Sequence, residues 1–143
     1  MMLPIKIKKH IDELSFNSYR NEIEIKNALK QLSVMRINPK SEFGIFYTKV
    51  CAIDLVSNNK GRSSLVDICF PENVILMATK FAKEVCHLPE GYYCITSGEG
   101  GGFYIYRVSD EAVFNLNNSE IEKISEIAPN WKTFNIFMEW FLL

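Results

Sequence analysis

The chain of 143 residues carries 16 Lys and Arg against 17 Asp and Glu, with 48% hydrophobic and 23% charged residues. That length suits one domain with a single sizeable core, and the composition excludes the disordered and fibrous classes. The net charge of −1 says nothing by itself, but residues 1–70 hold 11 basic and 7 acidic side chains and residues 71–143 hold 5 and 10. Such a split either marks a charged face or is solvated charge without a specific role.

The N-terminus, Met1 to Lys9, has lysines but no apolar run of signal-peptide length behind them. No segment approaches the roughly 20 apolar residues that cross a bilayer. A cytoplasmic protein without a membrane contact is expected. Residues 17–33 read as a helix: Ile25, Ala28, Leu29 and Leu32 repeat at the spacing of one buried stripe, with Glu22, Glu24, Lys26 and Lys30 outside. Asn17 or Ser18 is its expected cap. A second helix is expected from Asn38-Pro39, asparagine capping and proline taking the first helical position, through Phe43, Phe46, Tyr47 and Val50.

Ser57 to Gly61 reads as a turn-rich connection and Ser64 to Ile68 as a short strand. Pro71-Glu72 opens a third helix whose Val74, Ile75, Ala78, Phe81, Ala82 and Val85 predict a wide buried face. Leu88-Pro89-Glu90-Gly91 ends it. Three strands follow over 92–97, 102–108 and 112–117, the last two joined through Ser109-Asp110-Glu111. Residues 119–127 are a short helix or an irregular segment. A closing helix follows Pro129-Asn130, with Asn130 or Thr133 as cap. Its stripe is Trp131, Phe134, Met138 and Phe141, widened by Phe137, Trp140 and Leu142, with Ile136 elsewhere. Helices, then a meander, then a helix predict an α+β fold: an antiparallel or mixed sheet flanked by helices, in one domain over 1–143.

Four of the seven glycines fall at Gly98, Gly100, Gly101 and Gly102, between two strands. A dinucleotide loop would lead into a helix, and here Phe103 stands at the third glycine position while Glu99 would repel phosphate. Two readings stay open: a hairpin needing positive φ, or a bare backbone that another molecule approaches. Cys51, Cys69, Cys86 and Cys94 share no Cys-x-x-Cys spacing and read as reduced thiols, and the two histidines, His10 and His87, offer little for a metal or a general base. Paired carboxylates at Asp110-Glu111 and Glu120/Glu122 are ordinary for surface turns. No catalytic residue, metal or cofactor is assigned. Tyr104, Tyr106 and Arg107 share a strand as in single-strand binders, yet the surrounding half of the chain is acidic, so no nucleic acid is expected. The two tyrosines lie on one strand face, which is either core under a helix or a contact surface.

The order of these features resembles the SUKH superfamily of Smi/Knr-type domains, which includes many bacterial immunity proteins. The resemblance rests on Leu88-Pro89-Glu90-Gly91-Tyr92, then Ser97-Gly98-Glu99-Gly100-Gly101, then Phe103-Tyr104-Ile105-Tyr106. Asp110-Glu111-Ala112-Val113-Phe114 and the terminal helix from Trp131 to Phe141 complete it. It is good over roughly 65–143, looser over 38–64 and generic over 1–37. It implies a single α+β domain and a non-catalytic role, the neutralisation of a cognate protein toxin, such as a nuclease, by a monomer or homodimer. Eukaryotic relatives are regulatory or scaffold proteins, which supplies the alternative. Gly98, Glu99, Gly100 and Gly101 match the hairpin motif, and Trp131 with Phe134 the helix start. Acidic contacts to a basic toxin would fall to Glu99, Asp110, Glu111, Glu120 and Glu122, with Tyr104 and Tyr106 as further partner-binding candidates. The near-neutral total departs from the markedly acidic character of many nuclease-neutralising proteins.

Overall fold

The aromatic run after the glycine cluster alternates as a strand should, and both of its faces are covered. The computed structural model describes residues 2–58, 64–98 and 100–143. Within them, β1 (Tyr92–Cys94), β2 (Gly102–Arg107) and β3 (Val113–Asn117) form an antiparallel meander in the order β1-β2-β3. Tyr92 lies opposite Arg107; Gly102 lies opposite Asn117, and Tyr106 opposite Val113. The fold is α+β.

Among the described residues five α-helices accompany the sheet: α1 (Ile5–Asp12), α2 (Glu22–Val34), α3 (Glu42–Lys49), α4 (Val74–Cys86) and α5 (Phe134–Leu142). A 3₁₀ segment spans Ile121–Glu126. Tyr104 and Tyr106 point into a core shared with Phe43, Phe46 and Tyr47 of α3 and Phe134, Phe137 and Phe141 of α5. Phe103 and Ile105 point the other way, into a second cluster with Ala82 and Cys86 of α4 and Ile121 and Ile124. The period of two therefore divides one strand between two hydrophobic layers. The rings interlock: Phe43 lies 4.5 Å from Tyr106, and Tyr104 5.0 Å from Phe137, spacings at which aromatic pairs attract beyond their burial.

Several expected boundaries move, each for a local reason. The first assigned helix starts at Glu22 rather than at Asn17. Asn21 accepts the N–H of Glu24 while the Glu24 carboxylate accepts the N–H of Asn21, a reciprocal capping box. Residues 18–20 run instead beside 49–51: Arg20 N–H donates to the Lys49 carbonyl and Cys51 N–H to that of Ser18. Leu29, expected inside, is exposed, whereas Ala28 and Leu32 are buried. The next helix begins at Glu42, not at Pro39, because the Ser41 hydroxyl caps it by accepting from Gly44 N–H at 3.0 Å. Helix α1 was not anticipated; its Ile7 and Ile11 are buried in continuation of Leu3, a spacing of four that lysines partly mask.

The expected strand over 64–68 is broken into isolated bridges, Ser64 to Val56 and Leu65 to Thr96, with Val66 N–H donating to the Ile95 carbonyl. The chain turns away at Asp67, whose carbonyl accepts from the N–H groups of Val74 and Ile75 and so anchors the start of α4. The Asp67 side chain is fully buried and pairs with a buried Arg20 at 2.7 Å. Its Oδ1 also accepts from Ala52 N–H and its Oδ2 from Cys69 N–H, both at 3.0 Å. Arg20 Nε donates to the Tyr47 carbonyl at 2.8 Å. One ion pair thus joins the segment before α2, the end of α3 and the approach to α4.

Helix α4 docks with a face different from the expected one. Ile75, Thr79, Ala82 and Cys86 are buried, while Met77, Phe81 and Val85 are 54%, 47% and 57% exposed. At 100° per residue the buried face is rotated by roughly 70° from the expected stripe. The Thr79 hydroxyl accounts for it, accepting the N–H of Cys94 on β1 at 2.9 Å. From Phe134 onward the closing helix follows its sequence pattern: Phe134, Phe137, Met138, Phe141 and Leu142 are buried and Ile136 is exposed, while Trp131, expected in its stripe, lies before it in an extended bridge to Val113. Thr133 is its cap, while the Asn130 side chain accepts from Asn115 N–H instead. No helix among the described residues is long and apolar enough to cross a membrane.

Candidate protein-binding face

The candidate residues divide between the two ends of the meander. The six residues of β2 separate those ends by about 17 Å, at some 3.3 Å per residue. Gly98, Gly100, Gly101, Glu120 and Glu122 belong to the hairpin end; Asp110 and Glu111 belong to the far end, beyond Arg107 and before Val113. The structure therefore does not bring the expected acids onto a single surface. Glu99 lies outside the described residues.

At the far end both carboxylates have internal work. Asp110 receives Arg107 Nε at 2.8 Å and Nη2 at 2.7 Å, a bidentate pair. Those bonds hold its carboxyl below the usual carboxylate range against the opposing effect of desolvation. Glu111 sits in the left-handed region at φ 66° and turns its side chain inward. Its Oε2 accepts from Glu42 N–H at 3.2 Å and its Oε1 from Phe43 N–H at 3.1 Å and Tyr106 Oη at 2.9 Å. A carboxylate at the first turn of α3 satisfies donors that no residue within the helix can reach. Glu111 is thus a cap delivered from the β2–β3 turn, both of its carboxylate oxygens engaged within the fold. Burial, and after it the Glu111 charge, push the Tyr106 hydroxyl far above its ordinary range.

Tyr104 and Tyr106 are buried beneath α3 and α5, so the contact-surface reading of their strand face is corrected to core. Trp131 and Phe134 also build this layer. Trp131 bridges Val113 through its backbone and stacks 4.8 Å from Trp140, while Phe134 lies 5.3 Å from Phe43.

The hairpin end presents its groups outward. Gly100 and Gly101 both hold φ at 79°, a region that favours glycine, and Gly101 accepts from Asn118 N–H at 2.9 Å. Gly98 lies against Phe103: a Cβ there would stand 2.8 Å from the ring. Phe103 in turn lies 6.4 Å from the ring of Phe81 on α4. On the other side of the tip, Glu120 accepts Asn117 N–H at 2.9 Å while remaining exposed, and Glu122 and Glu126 are exposed along the 3₁₀ segment. Ala78 of α4 and Ile127 both pack against the cluster containing Ile121 and Ile124. Hairpin tip, 3₁₀ segment and the outer flank of α4 are consequently neighbours on one side of the molecule.

Sequence reading missed the α4 flank by counting Phe81 and Val85 as core; the signal present was Met77, Phe81 and Val85 at intervals of four, beside a second stripe containing Thr79. Comparison with known protein families and with curated proteins finds no match to this chain.

Proposed function

We propose that this chain is a non-catalytic immunity protein of the SUKH kind, binding and occluding a cognate protein toxin in the cytoplasm. The observation that carries the reading is the split of β2. Both of its faces are committed to hydrophobic layers, while the hairpin end beside them holds the carboxylates of Glu120, Glu122 and Glu126 in solvent. Recognition then belongs to an outer surface, and the acids there steer a basic partner into encounter. The order of glycine hairpin, aromatic strand and a closing helix preceded by Trp131 supports the same reading. The near-neutral total charge favours a second one, a regulatory or scaffold domain that binds cellular proteins without a toxin.

The test is growth rescue. Cells expressing a toxin encoded beside this chain's gene should survive when the chain is co-expressed. The paired reversal Glu122→Lys/Glu126→Lys should weaken rescue and slow association of purified proteins, with a shallower salt dependence. Failure of the native chain to rescue growth removes the toxin reading. An unchanged association rate in the paired variant removes the steering role.

A further inference from the structure

The outer flank of α4 is an apolar stripe in a molecule whose two hydrophobic layers are already filled. Met77, Phe81 and Val85 recur every four residues, so they align on one side of the helix over about 12 Å at 1.5 Å per residue. Each is close to half exposed or more, and among the described residues only Phe103 makes a ring contact with Phe81. Scattered exposed apolar side chains need no explanation, but an aligned row does.

The charges around the stripe select its occupant. Glu84 flanks it on α4, and Glu120, Glu122 and Glu126 line the neighbouring 3₁₀ segment, all exposed. Lys83 is neutralised by Glu90 at 3.0 Å, which leaves Lys80 and Lys123 as the local cations in no ion pair among the described residues. Four carboxylates against two ammonium groups give this face a net negative rim around an apolar centre. A second copy of the chain would bring the same acids against these, so like charges oppose pairing through this face.

We infer that the α4 flank is the docking surface for a basic amphipathic helix of a protein partner, with Phe81 as the central anchor. The inference rests on reading the chain as a protein-binding module and does not require the partner to be a toxin. Apolar side chains of the incoming helix, spaced at three and four, meet Met77, Phe81 and Val85. Its lysines or arginines meet Glu84 and the 3₁₀ acids. Phe81 has the position of a hot spot, an aromatic at the middle of the stripe already seated on the Phe103 ring, and the rim acids govern encounter.

The probe is a two-heptad peptide of leucine and lysine with leucines in helical register, titrated into the full-length protein and followed by backbone amide NMR. Saturable shifts confined to α4, the 3₁₀ segment and the hairpin are expected. A control peptide with glutamate in place of lysine should bind at least about tenfold more weakly, and Phe81→Asp should weaken the lysine peptide by at least about tenfold. Because Phe81 touches Phe103, Met77→Asp and Val85→Asp are measured beside it, each checked for an unchanged fold by far-UV circular dichroism. Equal binding of both peptides, shifts centred elsewhere, or full affinity in the Met77 and Val85 variants would overturn the inference. So would a stable dimer in sedimentation that Val85→Asp dissolves. Peptide binding on α4 without growth rescue upholds this surface and removes the toxin reading.

Discussion

Replacing Asp67 by alanine should cost more stability than any surface change in the protein. Arg20 would keep its charge at a site where its side chain is 1% exposed, losing the carboxylate 2.7 Å away. The N–H groups of Ala52 and Cys69 would lose their acceptor at the same time. Breaking a buried pair from one side costs about 3–5 kcal/mol, because the remaining ion keeps its desolvation penalty. Set against a typical total of about 5–15 kcal/mol, that loss removes a large fraction of the stability. With a urea slope near 2 kcal/mol per molar, the midpoint should fall by about 2 M. Asp67→Asn should be milder but not neutral, since an amide that turns its oxygen toward Arg20 turns its NH₂ against the Cys69 donor. Urea unfolding followed by tryptophan fluorescence is the assay, with Arg20→Met and the double variant completing a cycle. The double variant should cost less than the two singles summed, by at least about 1 kcal/mol. A loss under about 1 kcal/mol for Asp67→Ala, or additive singles, would refute the argument that the pair acts as a unit.

Three further outcomes follow from the same geometry. Glu111→Ala should lower stability by about 1–3 kcal/mol in thermal unfolding, because two amides at the start of α3 and the Tyr106 hydroxyl lose their acceptor. The Asp110 carboxyl, held low first by its bonds from Arg107, should titrate below 3.8 by carbon-detected NMR, and Arg107→Gln should return it toward that value. Its stabilising contribution is present above pH 3.8 and is lost as pH falls through the folded value; a midpoint at or above 3.8 would contradict the pairing. Burial, and then the neighbouring Cys86, push the Cys94 thiol up to about 12, so at neutral pH it should resist alkylation until the protein unfolds, as mass spectrometry of labelled peptides would show.

The meander and the closing helix were legible because their signals are local. Alternation through Phe103, Tyr104, Ile105 and Tyr106 between glycines and a polar turn placed β2 to within a residue. Phe134 to Leu142 carried one apolar stripe that only a helix could bury. What sequence reading missed depends on partners distant in the chain. Arg20 meets Asp67 47 positions away, and Glu111 reaches back 69 positions to Glu42. No spacing rule announces either contact. The α4 face was misjudged for a subtler reason: two overlapping stripes competed, and one hydroxyl on Thr79, bonded to β1, decided which turned inward. At the candidate site, Glu120 and Glu122 lie exposed toward the hairpin end, whereas Asp110 and Glu111 lie the length of a strand away. The expected meander already puts its two turns at opposite ends of β2; what no period announces is that Asp110 and Glu111 there turn to Arg107, Glu42 and Phe43.

The Glu111 cap also ties the openings of separate elements together. Its carboxylate holds the start of α3, and the Glu42 carboxylate on that helix accepts Asn135 N–H at the start of α5, at 2.8 Å. Residues 42, 111 and 135 are thereby linked in series, a carboxylate from one segment at each step filling the amides that begin the next helix. Neither helix can lift away alone without exposing a charge or a donor that its neighbour had satisfied. Amide exchange in the first turns of α3 and α5 should therefore show a single opening free energy, making the ends of two helices and one β-turn a single cooperative unit.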